Sequence, residues 1–186
     1  NRDLVLHYRS HRLERDAISI EMRDIQRPLT VTLRYSIDRD TGVIGRSAII
    51  RNAGEAPVRI DQAAAAGYTL PVGDDYRLHY TTGRWAGEWQ RGDRPVSAAA
   101  TVIESRRGST GSENNPWFMV TEDGRTTEEA GPAWIGALGW SGSWRITVAR
   151  DVGGRTRITG GFNPFDFGYS LAPGEALETP VFFAGY

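Results

Sequence analysis

Hydrophobic and polar residues alternate with a period of two along much of the chain. Such alternation is typical of a β-strand that buries one face and exposes the other. It recurs in five segments, 4–8, 18–22, 31–37, 44–50 and 146–148. No stretch has the period of an amphipathic helix, and the alanine run 63–66 is too short to form one before Gly67 and Pro71. We therefore predict that this run is strand or extended chain.

Turn-forming residues separate these segments at intervals that suit short strands. Gly supplies backbone conformations with positive φ, and Pro fixes the first corner of a turn. The clusters read DTG at 40–42, NAG at 52–54, GDD at 73–75, DG at 123–124, GG at 153–154 and PG at 173–174. This pattern predicts an all-β fold, an antiparallel β-sandwich of roughly a dozen strands with little helix. The stretches 85–111 and 122–132 lack alternation and are predicted to be long inter-strand loops.

Length and composition indicate one folded domain and limit its partners. We expect residues 1–186 to form a single domain. The net charge of -1 provides no basic field for nucleic acid or a membrane surface. No apolar run reaches the roughly 20 residues that span a bilayer, and the charged first residues do not resemble a signal peptide. We expect a cytoplasmic rather than a secreted protein, with neither nucleic acid nor membrane as a partner.

Residue types that bind metals or cofactors are absent or scattered. The chain has no Cys, which excludes thiolate sites and disulfides. His7, His11 and His79 lie on or near predicted strands without a third ligand at metal spacing, so structural or surface roles are favoured. No phosphate-binding loop, dinucleotide fingerprint or nucleophile elbow is present. We expect neither a metal nor a cofactor.

The carboxylates form no convincing catalytic pair. Catalysis by paired carboxylates needs two carboxyl groups held close together across the reacting bond. The pairs at 74–75 and 128–129 lie in a turn and a polar loop, where surface positions are usual. Asp166 follows Asn163 and Pro164 in a turn, where a bond from its side chain to the backbone is favoured.

The six Trp residues provide the strongest indication of a binding surface, because the apolar faces of sugar rings stack on indole. Trp85 and Trp89 lie in the predicted loop 85–111. Two interpretations stay open for them: burial at a domain or subunit interface, and contact with sugar. For Trp117, Trp140 and Trp144, which lie in strand-like runs, core packing is favoured.

Two arginines follow in the same predicted loop. Arg106 and Arg107 are suited to bidentate bonds with carboxylates on another domain or subunit. A solvated pair beside a turn is the alternative. We predict that the loop presents Trp85, Trp89 and Arg107 to a partner surface, since Trp and Arg contribute most to interface energy.

Five sequence blocks occur in a fixed order: TGRWAGEW at 82–89, ESRRGS at 104–109, NNPWF at 114–118, SGSWR at 141–145 and GFNPFDF at 161–167. Together with LAPGE at 171–175, they resemble the N-terminal β-sandwich domain of melibiase-like α-galactosidases of glycoside hydrolase family 36. The resemblance covers nearly the whole chain. Two departures are the sequence STGS at 109–112, where the family has Ser-Ser-His, and Trp89, where a polar residue is commoner.

The resemblance implies a supersandwich of the galactose-mutarotase type and a chain truncated at both ends. Family members have further strands upstream and a (β/α)₈ barrel downstream, which carries the two catalytic Asp residues. The resemblance therefore implies the non-catalytic domain of a retaining α-galactosidase that acts on terminal α-linked galactose. We expect no catalytic residue in this chain and no hydrolysis of an aryl α-galactoside by it alone.

The same resemblance implies the partners. They are the catalytic barrel of the same chain and further subunits of a homo-oligomer, since the sandwich helps to build the tetramer in several relatives. A contact with the α-galactoside substrate is a further expectation. Two alternatives stay open: a free-standing carbohydrate-binding module, indicated by an exposed Trp pair in a groove, and an assembly module without sugar contact.

Overall fold

A computed structural model describes residues 4–73 and 75–186, and within them the chain forms sixteen β-strands and no helix. The strands are β1 Leu6–Leu13, β2 Ala17–Asp24, β3 Leu29–Ile37, β4 Ile44–Asn52, β5 Val58–Ile60, β6 Ala64–Thr69, β7 Tyr76–Arg84, β8 Gly87–Pro95, β9 Thr101–Ser105, β10 Trp117–Glu122, β11 Ala133–Gly139, β12 Trp144–Arg150, β13 Thr156–Phe162, β14 Tyr169–Leu171, β15 Ala176–Glu178 and β16 Val181–Gly185. The predicted all-β class is confirmed, with more strands than expected.

All strand pairs are antiparallel and belong to three sheets. The large sheet has ten strands. Nine follow the order β1-β2-β3-β4-β16-β11-β10-β7-β8, and the tenth, β15, pairs with β4. The second sheet has the order β6-β13-β12-β9, and β14 pairs with β5. Thr179, between β15 and β16, is joined to β4 by two bonds: its amide donates to the carbonyl oxygen of Ala48, and its Oγ1 accepts from the Ala48 amide. The last strand of the chain therefore lies in the middle of the large sheet.

The main core fills the space between the ten-stranded and the four-stranded sheets. On β12 the side chains of Trp144, Ile146 and Val148 are almost completely buried, as their period of two requires. The Phe182 ring of β16 meets the Phe118 ring of β10 edge to face, with centroids 5.9 Å apart. Edge-to-face pairs of this kind add stabilisation beyond the burial of apolar area.

A second apolar cluster lies where β3 and β4 pack against the small β5–β14 sheet. Leu29, Leu171 and Ala63 are among its most deeply buried members. The Asn52 side chain at the end of β4 donates hydrogen bonds to the carbonyl oxygens of Ala56 and Leu171. This buried amide therefore connects the end of β4 to β14 and to the turn that precedes β5.

The strand predictions are confirmed at each alternating segment. Those segments fall on or overlap β1, β2, β3, β4 and β12, and the alanine run leads into β6. The loop predicted at 122–132 is also confirmed, because β10 ends at Glu122 and β11 begins at Ala133. In the turn predicted at 73–75, Asp74 lies outside the described residues.

The predicted long loop 85–111 is wrong for most of its length. Residues 87–95 form β8 and residues 101–105 form β9. β8 is an edge strand of the large sheet, and seven of its nine residues are exposed, so neither of its faces shows a hydrophobic pattern. Charged and proline residues on an edge strand also discourage pairing with other chains. The polar composition of this stretch reflects its position in the sheet.

The close packing of Phe182 predicts a test of the core. Gly160→Ala is expected to lower the free energy of unfolding by about 1–3 kcal/mol, because overpacking displaces neighbouring side chains. The added Cβ would lie 2.5 Å from Cε1 of Phe182. Gly67→Ala on the adjacent strand is the control, since its Cβ would meet only Cγ2 of Thr159 at 3.5 Å. Urea unfolding measures both, and equal effects would contradict this packing.

Candidate functional site

The five sequence blocks converge at one end of the sandwich. They occupy the β7–β8 hairpin, the end of β9 and the loop after it, the start of β10, the start of β12, and the turn after β13. Pairing places Ser105 opposite Trp144 and Trp144 opposite Phe162, so the second sheet contributes three of these elements at one level. We call this surface the motif end, comprising residues 82–89, 104–118, 140–145 and 161–167.

Asn163 is the central polar residue of the motif end, and only 2% of its surface is exposed. Its Nδ2 faces three acceptors, Oε2 of Glu104 at 3.0 Å and the carbonyl oxygens of Ser105 at 3.0 Å and Trp144 at 3.1 Å. Its Oδ1 accepts a hydrogen bond from the amide of Phe165. One buried amide side chain thereby connects β9, β12 and the 163–167 turn.

Glu104 is an anion held by three donors. Its carboxylate pairs with Arg106 at 2.5 Å and Arg145 at 2.8 Å, and it accepts the bond from Asn163. Partial burial alone raises the pKa of Glu104, but hydrogen bonds from Arg106, Arg145 and Asn163 outweigh it and lower the pKa below its ordinary value. The group therefore remains ionised well into the acidic range.

Loop 106–116 is fastened to the rest of the motif end by hydrogen bonds at several points. Gly108 donates its amide proton to Oγ of Ser143, and Thr110 donates its amide proton to the carbonyl of Ser141. The buried indole of Trp144 donates to Oγ1 of Thr110. Because these bonds join the loop to residues 141–144, the two segments form one structural unit.

The hairpin between β7 and β8 presents both candidate Trp residues to solvent. Trp85 is 85% exposed and lies in the two-residue turn between Arg84 and Gly87, and Trp89 is 67% exposed on β8. A bulge places Glu88 and Trp89 opposite Gly83, where an added Cβ would lie 2.7 Å from Cα of Glu88. β-bulges redirect side chains and are frequent beside functional sites.

The tip of this hairpin is strained. Ala86 has a φ of 58° and Trp89 a φ of 61°, a left-handed conformation that costs a non-glycine residue of order 1–3 kcal/mol. The Glu88 carboxylate offsets part of this cost by accepting a hydrogen bond from the Ala86 amide. Backbone strain of this kind persists where the surrounding structure enforces it and clusters at functional sites.

Arg106 and Arg107 lie at the motif end, and both bind carboxylates of this chain. The Arg106 guanidinium lies 4.4 Å from the centroid of the Phe165 ring and pairs with Glu104. Arg107 pairs with Glu113 at 2.6 Å, although 71% of its side chain is exposed. The structure therefore brings the two arginines and the Trp hairpin to the same end of the domain.

Two sequence predictions need correction here. Trp140 does not pack into the core; it follows β11 in a loop and is 42% exposed. The turn sequence SGS at 141–143 was the signal for that position. In the turn after β13, Asn163 rather than Asp166 makes the side-chain bond to the backbone. Trp117 is partly buried and donates its indole proton to Thr81.

Over residues 4–73 and 75–186, no three His, Asp or Glu side chains form a group that could hold a metal ion. Nε2 of His79 lies 2.9 Å from Oγ1 of Thr121, and Nδ1 of His11 lies 2.6 Å from the Tyr8 hydroxyl. In that same part of the chain, no helix is long and apolar enough to span a membrane.

Residues 2–172 match the sequence model of the glycosyl hydrolase family 36 N-terminal domain. The chain belongs to this family. It is 31% identical over 173 residues to alpha-galactosidase AgaA of Geobacillus stearothermophilus, a match that covers 93% of this chain and 24% of that protein. It is 30% identical over 167 residues to alpha-galactosidase Mel36A of Lactobacillus acidophilus, covering 90% of this chain and 22% of that protein.

Solved structures agree with the fold of this family 36 domain. The crystal structure of AgaA superposes with a TM-score of 0.94 at 27% identity, covering 99% of this chain and 28% of that one. A galactose mutarotase related enzyme from Lactobacillus acidophilus, at 9% identity, shows the same fold with a TM-score of 0.58. The predicted mutarotase-type sandwich is confirmed. The chain spans about a quarter of the length of the curated relatives it matches.

The charged centre of this family 36 domain predicts a pH dependence. Because folding lowers the pKa of Glu104, its ionised form adds stability above its unfolded pKa, and that stability is lost as the pH falls through the folded pKa. Glu104→Gln is expected to lower the free energy of unfolding by about 2 kcal/mol at neutral pH. The difference from wild type should shrink below about pH 4.

Urea unfolding at neutral and acidic pH measures this effect. Glu128→Gln in the exposed 123–132 loop is the matched control and should change the free energy of unfolding by less than about 0.5 kcal/mol. A Glu104→Gln effect that is the same at both pH values would show that the carboxylate charge contributes nothing.

Proposed function

We propose that this chain is the non-catalytic N-terminal domain of a retaining α-galactosidase, which hydrolyses terminal α-D-galactosyl residues. The relatives that support this are named alpha-galactosidases, and the chain matches about a quarter of their length. Structures of AgaA variants in complex with stachyose and with raffinose indicate the substrate class. The catalytic barrel then belongs to the remaining three quarters of the enzyme.

The chemistry of the motif end supports a non-catalytic role. A glycosidase acid needs a carboxyl group whose pKa is raised, so that it carries a proton near neutral pH. The partly buried carboxylate of Glu104 has the opposite property, because Arg106, Arg145 and Asn163 stabilise its anion. It serves as a structural counter-ion, and the isolated chain is inactive toward an aryl α-galactoside.

The observation that carries the proposal is the exposed Trp pair on the strained hairpin. Trp85 and Trp89 contribute little to this domain's own core, and both rings remain largely in solvent. Large exposed aromatic groups beside arginine are typical of the residues that dominate interface energy. We assign the hairpin tip, together with Arg107, to contact with the catalytic barrel or with a neighbouring subunit of a homo-oligomer.

A second function is favoured by the same exposure. Two accessible indole rings also suit stacking on sugar, so the hairpin of a carbohydrate-binding module would look similar. Arg107 favours a protein interface, because its side chain stays largely exposed beside its ion pair with Glu113 and can add a bond to a partner's carboxylate. A purely structural assembly domain is the remaining alternative, in which the hairpin contacts protein and never influences substrate.

The interface assignment predicts a difference between the domain and the full-length enzyme. Trp85→Ala and Trp89→Ala should each weaken assembly or domain docking of the full-length enzyme by at least about 2 kcal/mol, as expected for interface hot spots. In the 186-residue chain the same substitutions should change the free energy of unfolding by less than about 0.5 kcal/mol. Sedimentation velocity, hydrolysis of an aryl α-galactoside and urea unfolding provide the three measurements.

Tyr8→Ala is the matched control. Tyr8 is an exposed aromatic residue on β1, at the opposite edge of the large sheet from β8. It should change neither assembly nor kinetics. If both Trp substitutions instead destabilise the isolated chain and leave assembly and kinetics unchanged, the hairpin is structural and the interface assignment is wrong.

A further inference from the structure

A groove lined by aromatic side chains lies beside the 163–167 turn and has a volume of about 520 Å³. Trp140, Phe165 and Tyr169 line it, and they are 42%, 54% and 42% exposed. A soluble domain seldom leaves three large aromatic rings accessible around one concavity without using them for binding. The volume is in the range of sites that hold small ligands.

The aromatic walls of the groove are held in place. The Phe162 and Phe167 rings are stacked, with centroids 5.4 Å apart and an interplanar angle of 16°. Trp140 meets Phe162 edge to face at 5.2 Å. The bond from the Phe165 amide to Asn163 fixes the turn that carries Phe165. Because the rings and the turn are fixed by contacts within the domain, little ordering cost would accompany binding.

Polar groups of both signs lie among the rings. Arg106 covers one face of the Phe165 ring and provides hydrogen-bond donors. Asp166, in a left-handed conformation with φ 58°, and Glu178 provide acceptors. The carboxylate of Glu178 lies 3.5 Å from Arg34. The groove therefore offers flat apolar faces together with separate donors and acceptors.

We propose that this groove binds a neutral pyranoside. A sugar ring has an apolar face that stacks on an aromatic side chain, and its hydroxyl groups both donate and accept hydrogen bonds. Arg106 and Glu178 are neutralised by Glu104 and Arg34, so neither attracts a charged ligand strongly, and Asp166 disfavours an anion. The site contains neither Trp85 nor Trp89, and it does not depend on the role proposed for the hairpin.

Titration of the 186-residue chain with methyl α-D-galactopyranoside, followed by ¹H–¹⁵N NMR, tests the proposal. The Trp140 indole signal and the amide signals of Phe165 and Tyr169 should shift and saturate with a dissociation constant on the order of 1–10 mM. Trp140→Ala and Phe165→Ala should each weaken binding about tenfold or more. Two variants are used so that the test still holds if one of them fails to fold. The NMR spectrum of each variant would show such a failure.

Two comparisons complete the test. Tyr8→Ala should bind like the wild type, and D-galacturonate should bind more weakly than the neutral sugar because Asp166 repels its carboxylate. Shifts confined to Trp85 and Trp89, or an unchanged affinity in both groove variants, would overturn the proposal. The proposal would also be overturned if no saturable shifts occur and residues 140–143 and 162–169 are protected from hydrogen exchange in the full-length enzyme. That result would assign the groove to a protein interface.

Discussion

The buried side chain of Asn163 is the interaction on which the motif end depends. Its amide lies between β9, β12 and the turn that follows β13, and it satisfies polar groups on all three. A buried acceptor left without a donor costs about 1–3 kcal/mol. No aliphatic residue could replace Asn163 without leaving several of these acceptors unsatisfied. Glu104 extends the same centre by attracting Arg106 and Arg145.

This rigid centre supports the surface that is proposed for binding. The fastened 106–116 loop and the Asn163 turn form a fixed base beside the β7–β8 hairpin. The Gly83 amide of the hairpin donates a hydrogen bond to the Glu113 carbonyl and so joins the hairpin to this base. The strained backbone of Trp89 is tolerated because both strands of the hairpin are held by the large sheet. Arg106 connects the base to the aromatic groove through Phe165. The two proposed binding surfaces therefore share one support.

Alternation predicted strands such as β12, which buries one face, and it missed β8, which buries neither. Trp144, Ile146 and Val148 alternate because β12 packs on the core, whereas β8 lies at an edge with both faces in solvent and has no period to detect. The order of the motif blocks indicated the family. The convergence of these blocks at one end of the sandwich could not be predicted from the sequence, because it depends on long-range contacts. Asn163 bonds Glu104 across 59 positions and Ser105 across 58. Trp140 was assigned to the core because residue type alone does not distinguish a groove wall from a buried ring.

Hydrogen exchange in Asn163→Ala is the most direct test of this account. If Asn163 holds the motif end together, the variant should lose protection throughout 104–117, 141–145 and 161–167, while β3 and β4 keep theirs. Asn52→Ala is the matched control, since Asn52 is an equally buried amide that connects β4 to the small sheet. It should loosen 52–60 and 169–171 and leave the motif end protected. Loss of protection in Asn163→Ala that is confined to 163–167 would contradict the account.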